Sequence, residues 1–486
     1  MLISLRVRHR FDQLSGLCLR VLLPRDWLRL TDWICVLLDV GGAAKTPAPT
    51  ETRTSMHLNR SSQTPPAPLS SARTPRTVAS GVVAPALRIG DTASSLVFAA
   101  ARHLGPVARD AIAANSGLSI ATVNRQVTAL LESNLLRERP DLATPGAIGR
   151  PRIPVEVNHE PYLTLGFHIG ARITSIVASD LFGRTLDAVE TQTPAGSQAT
   201  ALVSLADSAR RYLSRWHRRR PLWVGVAVGG VVDSAAGLVD HPRLGWAQAP
   251  VGPVLGKALA LPISVASHVD AMAGAELLLA ATLRGGPAPH VVRGNSLYVY
   301  ARETVGFAQV IDGRVHTPTS GPGTIAGLPA QSELLGGTGG LESTVSDEAV
   351  VAAARKRGIL PATGPSSTVS RLMRIAGNTD TQAAEARELL AERARVLGRA
   401  VALLRDILNP DEIVVGGQAF TEYPEGLRRV RAAAAEGSLL PAREIRVAKF
   451  GNRVQEAGAG VLSLSTLYAD PLNSLRRAGT SRQLPA

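Results

Sequence analysis

One order of secondary-structure elements occurs twice between residue 160 and about residue 478, and this duplication constrains the fold more than any other feature. The first copy begins with three strand-like segments between 162 and 190, followed by a helix near 196–217 and the strand "WVGVAVGGVVD". The second copy begins with the strands "SLYVYARE" and "VGFAQVIDGRV" and ends with the strand "EIVVGG" and a final helix. Strands followed by helices in two successive halves predict an α/β body of two lobes, with a ligand crevice between them.

A smaller helical domain is predicted ahead of this body. Three short helices are indicated by "TASSLVFAAARHLG", "ARDAIAANSG" and "IATVNRQVTALLESN", with Ser119 as the N-cap of the third and the tight turn "SGLS" before it. The next segment, "LLRERPDLATPGAIGRPRIPVEV", has two strand-like pieces around a loop of Pro, Gly and Arg, which predicts a two-stranded wing. We therefore expect a winged helix-turn-helix domain over 91–157. Its predicted inward residues are Leu96, Phe98, Ala99, Leu104, Ile120, Val123, Val127, Leu130 and Leu131.

The third helix carries residues suited to reading DNA. In a helix-turn-helix this helix lies in the major groove, where Asn and Arg bind base edges and hydroxyls bind phosphates. A formal net charge of +14, almost wholly from arginine, also favours a polyanionic partner, although genomic base composition alone can enrich arginine. Protein-interaction modules built from three helices are the alternative. The predicted DNA-contacting residues are Ser119, Ala121, Thr122, Asn124, Arg125 and Thr128 on the helix, with Arg150 and Arg152 in the wing.

The chain ends and the cysteines add further expectations. Residues 1–90 lack sustained periodicity and contain a stretch rich in Pro, Ser, Thr and Arg, so we expect a disordered extension in which Met56 is a candidate translation start, and 479–486 form a tail. The only cysteines are Cys18 and Cys35, which leaves no thiol in the body for a disulfide or a sulfur-ligated metal site and suits a cytoplasmic protein. Neither a membrane span nor a signal peptide is predicted.

Several segments together resemble the ROK family of bacterial repressors and sugar kinases. They are "GPVARDAIAANSGLSIATVNRQVTALLESNLLRE", "GRP", "LTLGFHIGARITSIVASDLFGRTL", "VGVAVGGVVDSAAGLVDHPRLGW" and "EIVVGGQ", in the family's order and with similar spacing over roughly residues 91–478. The likeness is to the regulator branch, which includes xylose and N-acetylglucosamine repressors. The resemblance implies a winged helix joined to a two-lobed body with the actin-like ATPase fold, here spanning 158–478.

The resemblance also implies where kinase chemistry would lie, and this chain departs from it. His168 stands where kinase members carry a phosphate-site aspartate, and a neutral imidazole does not hold magnesium as a carboxylate does. In the second phosphate loop, Glu303 would repel a phosphate. Ser267 and His268 occupy the places of the Asn and of the catalytic Asp that precede the helix ending in Glu276. Histidine can act as a general base, but capping of the helix by His268 and Asp270 is the simpler interpretation.

The family's sugar and zinc motif has also changed. It corresponds to "GTIAG", so that Thr324 replaces the sugar-binding Glu and Gly327 the zinc-binding His, while Glu333, Leu335 and Gly340 fall in the cysteine places. A zinc site of that type needs thiolates, so we expect no metal there. Gly229-Gly230 ends a strand that faces the crevice, and either turn formation or close approach to a ligand explains it. The predicted pocket residues are Gly229, Gly230, Ser267, His268, Asp270 and Thr324.

Two functions from different classes follow from these observations. The first is a DNA-binding transcriptional regulator, with no catalytic residues and no cofactor, whose body senses a sugar-like effector or only dimerises. The alternative is an ATP-dependent sugar kinase with an accessory DNA-binding head, which the altered carboxylates and cysteines disfavour. A regulator of this type is expected to act as a homodimer or tetramer on double-stranded DNA with an inverted-repeat operator.

Overall fold

The computed structural model describes residues 81–143, 152–280, 294–318, 321, 323–364 and 368–480. Met56, both cysteines, Arg150 and residues 481–486 of the predicted tail lie outside these ranges. Within them the predicted fold class, a winged helix-turn-helix followed by a two-lobed α/β body, is confirmed. Among the residues described, no helix combines the length and the apolar character that crossing a bilayer requires.

The N-terminal head consists of three helices and a two-stranded antiparallel wing. The helices are α1 (Ala93–Leu104), α2 (Arg109–Ser116) and α3 (Ile120–Glu132), and the wing strands are β1 (Leu136–Glu138) and β2 (Val155–Val157). Ser119 caps α3 as predicted, because its side chain accepts a hydrogen bond from the Thr122 amide. Two predicted inward residues are exposed instead, Leu104 by 43% and Ile120 by 50%, since the buried stripe of each helix is narrower than the apolar pattern. Val97, Phe98, Val123, Val127 and Leu130 form the core of the head.

The first lobe is built on a sheet with the strand order β10-β6-β3-β4-β5. Residues of β3 are buried throughout, because helices or strands cover the sheet on both faces. A separate three-stranded sheet, β7-β8-β9, extends this lobe beside the cleft. The elements are β3 (Tyr162–Ile169), β4 (Ile173–Ser179), β5 (Thr185–Gln192), α4 (Gln198–Ser214), β6 (Arg220–Val228), β7 (Val231–Asp233), β8 (Leu238–His241), β9 (Trp246–Ala249), α5 (Val251–Leu259), β10 (Ile263–Ser267) and α6 (His268–Leu278).

The second lobe repeats this topology. Its sheet has the order β13-β12-β11-β14-β15, in which the first strand of the lobe is again central, antiparallel to the second strand and parallel to the fourth. This correspondence confirms the duplication predicted from the sequence. The elements are β11 (Asn295–Ala301), β12 (Val305–Ile311), β13 (Arg314–His316), α7 (Leu341–Val345), α8 (Asp347–Lys356), α9 (Val369–Ala376), α10 (Thr381–Leu408), β14 (Glu412–Gly416), α11 (Gln418–Thr421), α12 (Pro424–Gly437) and β15 (Ile445–Val447).

Two final helices return to the first lobe. They are α13 (Val454–Ala469), which packs against β3, β6 and α6, and α14 (Pro471–Thr480). The close approach of α13 to the sheet requires glycine on β3, because a Cβ at Gly166 would stand 2.6 Å from the Ala459 carbonyl carbon. Ser463 of α13 donates a buried hydrogen bond to Thr164 at 2.8 Å. Helix α13 is therefore fixed tightly on the first sheet.

Residues 81–90, which we call the strap, connect the outer edges of both sheets. The Val83 amide donates to the Ile263 carbonyl at 2.8 Å on the edge strand of the first sheet, and the Val315 amide donates to the Leu87 carbonyl at 2.9 Å on the edge strand of the second. Leu87 is buried against Gly274 of α6. The prediction that the disordered extension reaches residue 90 is therefore wrong for 81–90, because unpaired sheet edges supply backbone partners that local composition does not reveal.

Candidate DNA-binding surface and ligand cleft

The outer face of α3 is exposed to solvent and carries several polar side chains. Ser119, Ala121, Asn124, Arg125 and Thr128 are exposed, and Thr122 is half-buried beneath the Ser119 cap. The side chains of Asn124 and Arg125 make no hydrogen bond or ion pair with any residue that the structure describes. Their donors are therefore free for a partner molecule, as direct contact with base edges requires.

The arginines of the wing strands are engaged in the protein itself. Arg137 lies 2.6 Å from Glu156 and 2.9 Å from Glu160, and Arg139 lies 2.9 Å from Glu156 and 2.7 Å from Asp141. Hydrogen bonds to Glu156 and Glu160 raise the pKa of Arg137 above its usual value. These cations stabilise the wing, and Arg125 on α3 is the one exposed arginine of the described part of the head for which no acidic partner is found.

Arg152 lies where the wing returns toward the helices. Its guanidinium lies 2.6 Å from the Asp110 carboxylate at the start of α2, and its side chain remains 76% exposed. An exposed pair of this kind contributes only about 0–1 kcal/mol, so a DNA phosphate can compete for the guanidinium. Arg150 lies outside the described residues.

A cavity of about 470 Å³ opens between the two lobes. Five of the six predicted pocket residues line it: Gly229, Gly230, Ser267, His268 and Thr324. Gly230 has a φ of 87°, so the backbone turn itself requires glycine there. Thr324 accepts a hydrogen bond from the Ala326 amide and is otherwise exposed at the cleft.

Asp270, the sixth predicted pocket residue, does not line the cavity. It lies in the first turn of α6, where the helix directs it away from the cleft, and its Oδ2 accepts a hydrogen bond from Thr317 Oγ1 at 3.1 Å. Burial raises the pKa of this carboxyl to about 6, although the bond from Thr317 opposes the shift. The expectation that His268 and Asp270 cap α6 is wrong, because the N-cap is Ser267 and no side chain makes a capping hydrogen bond there.

Three histidines meet at the floor of the cleft: His168 from β3, His241 from β8 and His268 from α6. The rings of His168 and His268 are stacked, with centroids 5.9 Å apart and planes 5° from parallel. Burial, reinforced by nearby positive charge, lowers the pKa of His168 to about 3, and burial lowers the pKa of His268 to about 4. Burial also lowers the pKa of His241. The floor is therefore lined by uncharged imidazoles at neutral pH.

One hairpin turn of each lobe lies at the cleft, and the two turns contact each other. Arg172, in the β3–β4 turn, lies 3.0 Å from Glu303 in the β11–β12 turn. A second arginine of the first lobe, Arg243, lies 3.2 Å from Glu342 and 3.3 Å from Glu348 of the second. Two arginines of the first lobe thus bridge to carboxylates of the second lobe.

The segment that replaces the zinc motif has no ligand set. Within the residues described, no group of three His, Cys, Asp or Glu side chains is arranged to hold a metal ion. Glu333 is exposed, and Leu335 is buried in the small hydrophobic cluster under α8 and α9. Packing of the second lobe here depends on apolar contacts.

Two helices lead from the cleft to the head. Helix α6 begins at His268 on the cleft floor, and its last residue, Leu278, accepts a hydrogen bond at 3.2 Å from Arg102 of α1. Helix α13 begins beside Gln455, which lines the cleft, and ends beside Tyr468, whose ring lies 3.6 Å from the Arg102 guanidinium carbon. Arg102 is 6% exposed, so one buried side chain of the head contacts the far ends of both helices.

Several residues of these sites were missed from the sequence. Ile120, expected in the core, is exposed at the start of α3, where an apolar side chain can contact a thymine methyl group. His241 carried no local signal, because the residues around it in the cleft lie far away in the sequence. An arginine within an apolar helix pattern was the one hint available for Arg102.

Comparison with known proteins identifies relatives of both parts. Residues 164–466 match the ROK family. A transcriptional regulator of Mycobacterium tuberculosis strain H37Rv is 67% identical over 405 residues, which is 82% of this chain and 91% of that protein. The DNA-binding transcriptional dual regulator NagC of Escherichia coli K12 is 23% identical over 339 residues, 67% of this chain and 80% of that protein.

Solved structures show the same fold. A ROK family transcriptional regulator homologous to E. coli Mlc superposes with a TM-score of 0.64 and 21% identity, covering 79% of this chain and 98% of that chain. A ROK family glucokinase from Streptomyces griseus, in complex with glucose and AMPPNP, gives a TM-score of 0.52 and 20% identity over 62% of this chain and 99% of that chain. The body thus has the fold that ROK kinases and regulators share.

Proposed function

The chain belongs to the ROK family, and on that premise we propose that it is a transcriptional regulator that binds DNA through its winged helix. Residues 91–157 form the DNA-binding head and residues 158–478 form the ROK body. The protein acts on chromosomal DNA in the bacterial cytoplasm. The observation that carries the proposal is the outer face of α3, where Asn124 and Arg125 are exposed and unpaired while the wing-strand arginines are neutralised. The DNA-contacting set is Ser119, Ala121, Thr122, Asn124, Arg125, Thr128, Arg150 and Arg152.

The body performs no sugar phosphorylation. A kinase of this family would need a carboxylate to hold magnesium, and His168 is a buried neutral imidazole. The position of the base that would accept the sugar hydroxyl proton is taken by His268, and Asp270 is directed elsewhere. The Arg172–Glu303 pair lies where the nucleotide phosphates would bind. These four departures together support a regulator over the kinase alternative.

The active form is a dimer or a dimer of dimers. A single recognition helix buries too little surface for specific affinity, and twofold symmetry doubles the contact. The operator is then an inverted repeat with half-sites about one or two helical turns apart. Relatives named N-acetylglucosamine repressor and xylose repressor support repression as one mode by which the protein regulates its target genes.

Ligand occupancy of the cleft is coupled to the head through α6 and α13. Each helix has one end at the cleft and the other at Arg102, and α6 is about 15 Å long, so a shift at His268 reaches α1 without an intermediate loop. The strap adds a second connection, because it binds the edges of both sheets and continues directly into α1. An effector that favours one lobe arrangement would thereby favour one spacing of the two heads.

Footprinting on promoter DNA tests this function. Arg125→Ala should weaken specific binding by about 1–3 kcal/mol and relax one base position, because it removes a contact to a base edge. Arg428→Ala, which changes another exposed arginine, on α12, should leave the footprint unchanged. An unaltered footprint with Arg125→Ala would show that α3 is not the recognition helix. ATP-dependent phosphorylation of glucose or N-acetylglucosamine by the pure protein would contradict the absence of kinase activity.

A further inference from the structure

The outer face of α3 begins with one large apolar side chain. Ile120 is 50% exposed in the first turn, whereas the other large apolar residues of this helix are buried or partly buried in the core of the head. Ala121 beside it is exposed as well, so this end of the face offers hydrocarbon to solvent. Contact with an apolar group of a partner would remove that surface from water, which is favourable.

The polar side chains at this end of the helix are engaged by the helix cap. Ser119 Oγ accepts a hydrogen bond from the Thr122 amide at 3.3 Å and donates one to Thr122 Oγ1 at 3.0 Å. The Thr122 hydroxyl keeps its own hydrogen, which suits a phosphate oxygen. Farther along the helix, Asn124 and Arg125 are exposed and unpaired within the described residues. The outer face therefore changes from apolar at Ile120 to hydrogen-bonding at Asn124 and Arg125.

An apolar group at the start of a recognition helix matches one feature of the major groove. The C5-methyl group of thymine is the apolar group presented there, and cytosine carries only hydrogen at that position. Residues in the first turns of a recognition helix reach the base edges. Ile120 and Asn124 are about 6 Å apart along the helix axis at about 1.5 Å per residue, and base pairs are about 3.4 Å apart. The two side chains therefore reach base pairs about one or two steps apart.

We propose that Ile120 determines operator specificity by packing against a thymine methyl group, within two base pairs of the base that Asn124 or Arg125 contacts. The inference rests on the proposed function, because it requires α3 to be the recognition helix. Ile120 thereby joins the DNA-contacting residues without forming a hydrogen bond to a base. A cytosine in place of the thymine would lose the methyl contact and leave its amino group facing hydrocarbon.

Replacement of thymidine by deoxyuridine tests this contact, because the two nucleosides differ only in the methyl group. The full-length protein first selects a duplex site from a random library, and each thymidine of that site is then replaced in turn. At one position of a half-site the replacement should weaken wild-type binding by about three- to tenfold. Ile120→Ala should bind the thymidine duplex more weakly by a similar factor, and deoxyuridine at that position should cause no further loss. Ile120→Val, which keeps a branched apolar side chain, should retain the sensitivity to deoxyuridine.

Leu104→Ala provides the matched control, because Leu104 is 43% exposed at the end of α1 and lies off the outer face of α3. It should change neither the affinity nor the effect of deoxyuridine. Wild-type binding that is insensitive to deoxyuridine at every position would overturn the inference, and so would a deoxyuridine effect that Ile120→Ala leaves intact. A protein that selects a site and fails this test contradicts only the role of Ile120, whereas one that selects no DNA sequence contradicts the regulator as well.

Discussion

The neutral state of His168 should make the stability of the protein depend on pH. Burial, followed by the charges of His268 and Arg302, lowers the pKa of His168 to about 3 in the folded protein. A histidine in the unfolded chain has a pKa of about 6.5. Because the folded pKa is depressed, the unfolded chain takes up the proton first as the pH falls. The stability that depends on neutral His168 is therefore complete above about pH 6.5 and is lost between there and about pH 3.

The size of the effect follows from these two pKa values. At about pH 5 the unfolded side chain is almost fully protonated and the folded one is almost fully neutral. The pH then lies about 1.5 units below the pKa of the unfolded histidine, so protonation stabilises the unfolded state by about 2 kcal/mol. Urea unfolding of wild type and of His168→Asn, each measured at about pH 7 and at about pH 5, determines this free-energy difference directly. Between about pH 7 and pH 5 the variant should lose about 2 kcal/mol less stability than wild type.

His217→Asn provides the control, because His217 is exposed at the surface of the first lobe. Its loss of stability on acidification should match that of wild type. If His168→Asn also matched wild type, His168 would already be protonated or solvated in the folded state. In that case His168 would not be the buried neutral imidazole that its surroundings indicate.

Three further perturbations test the packing around the cleft and head. Leu87→Ala should destabilise the protein by about 2–5 kcal/mol in urea, because it removes the buried side chain of the strap, whereas Leu439→Ala, 95% exposed, should change stability by less than about 0.5 kcal/mol. Asp270→Asn should stabilise the protein by about 1–3 kcal/mol near neutral pH and lose that advantage below about pH 4, since the folded pKa of Asp270 is raised and its charged form is the costly one. Asp207→Asn, on exposed α4, should have no such effect. Arg102→Met should raise amide exchange in α1 about tenfold and leave α4 unchanged, because it removes the contacts to Leu278 and Tyr468. Unchanged exchange in α1 would show that Arg102 does not couple head and body.

The elements of the fold were predictable because their signals are local. The three successive strands β3 to β5 and their recurrence as β11 to β13 are visible in short windows of sequence. The Ser119 cap and the Gly117 turn mark the helix-turn-helix. The strap was not predictable, since "GVVAPALRIG" pairs with sheet edges more than 170 residues away and has no periodicity of its own.

The sites were predictable only in part. Helix geometry places Ser267 and His268 at the cleft and turns Asp270 away, and the sequence alone contains that geometry. The sequence alone does not predict that Arg125 is unpaired whereas Arg137 is paired, because the ion pair of Arg137 depends on Glu156 across the wing. Charge pairing of this kind arises from strand register, which composition does not specify.

Genome-wide mapping of bound DNA in cells is the most direct test of the central claim that this chain reads DNA through α3. We expect discrete sites that share an inverted repeat for the intact protein, and loss of those sites when Asn124 and Arg125 are both replaced by Ala. Sites that persist unchanged in the double variant, or no enrichment of any sequence by the intact protein, would contradict the account.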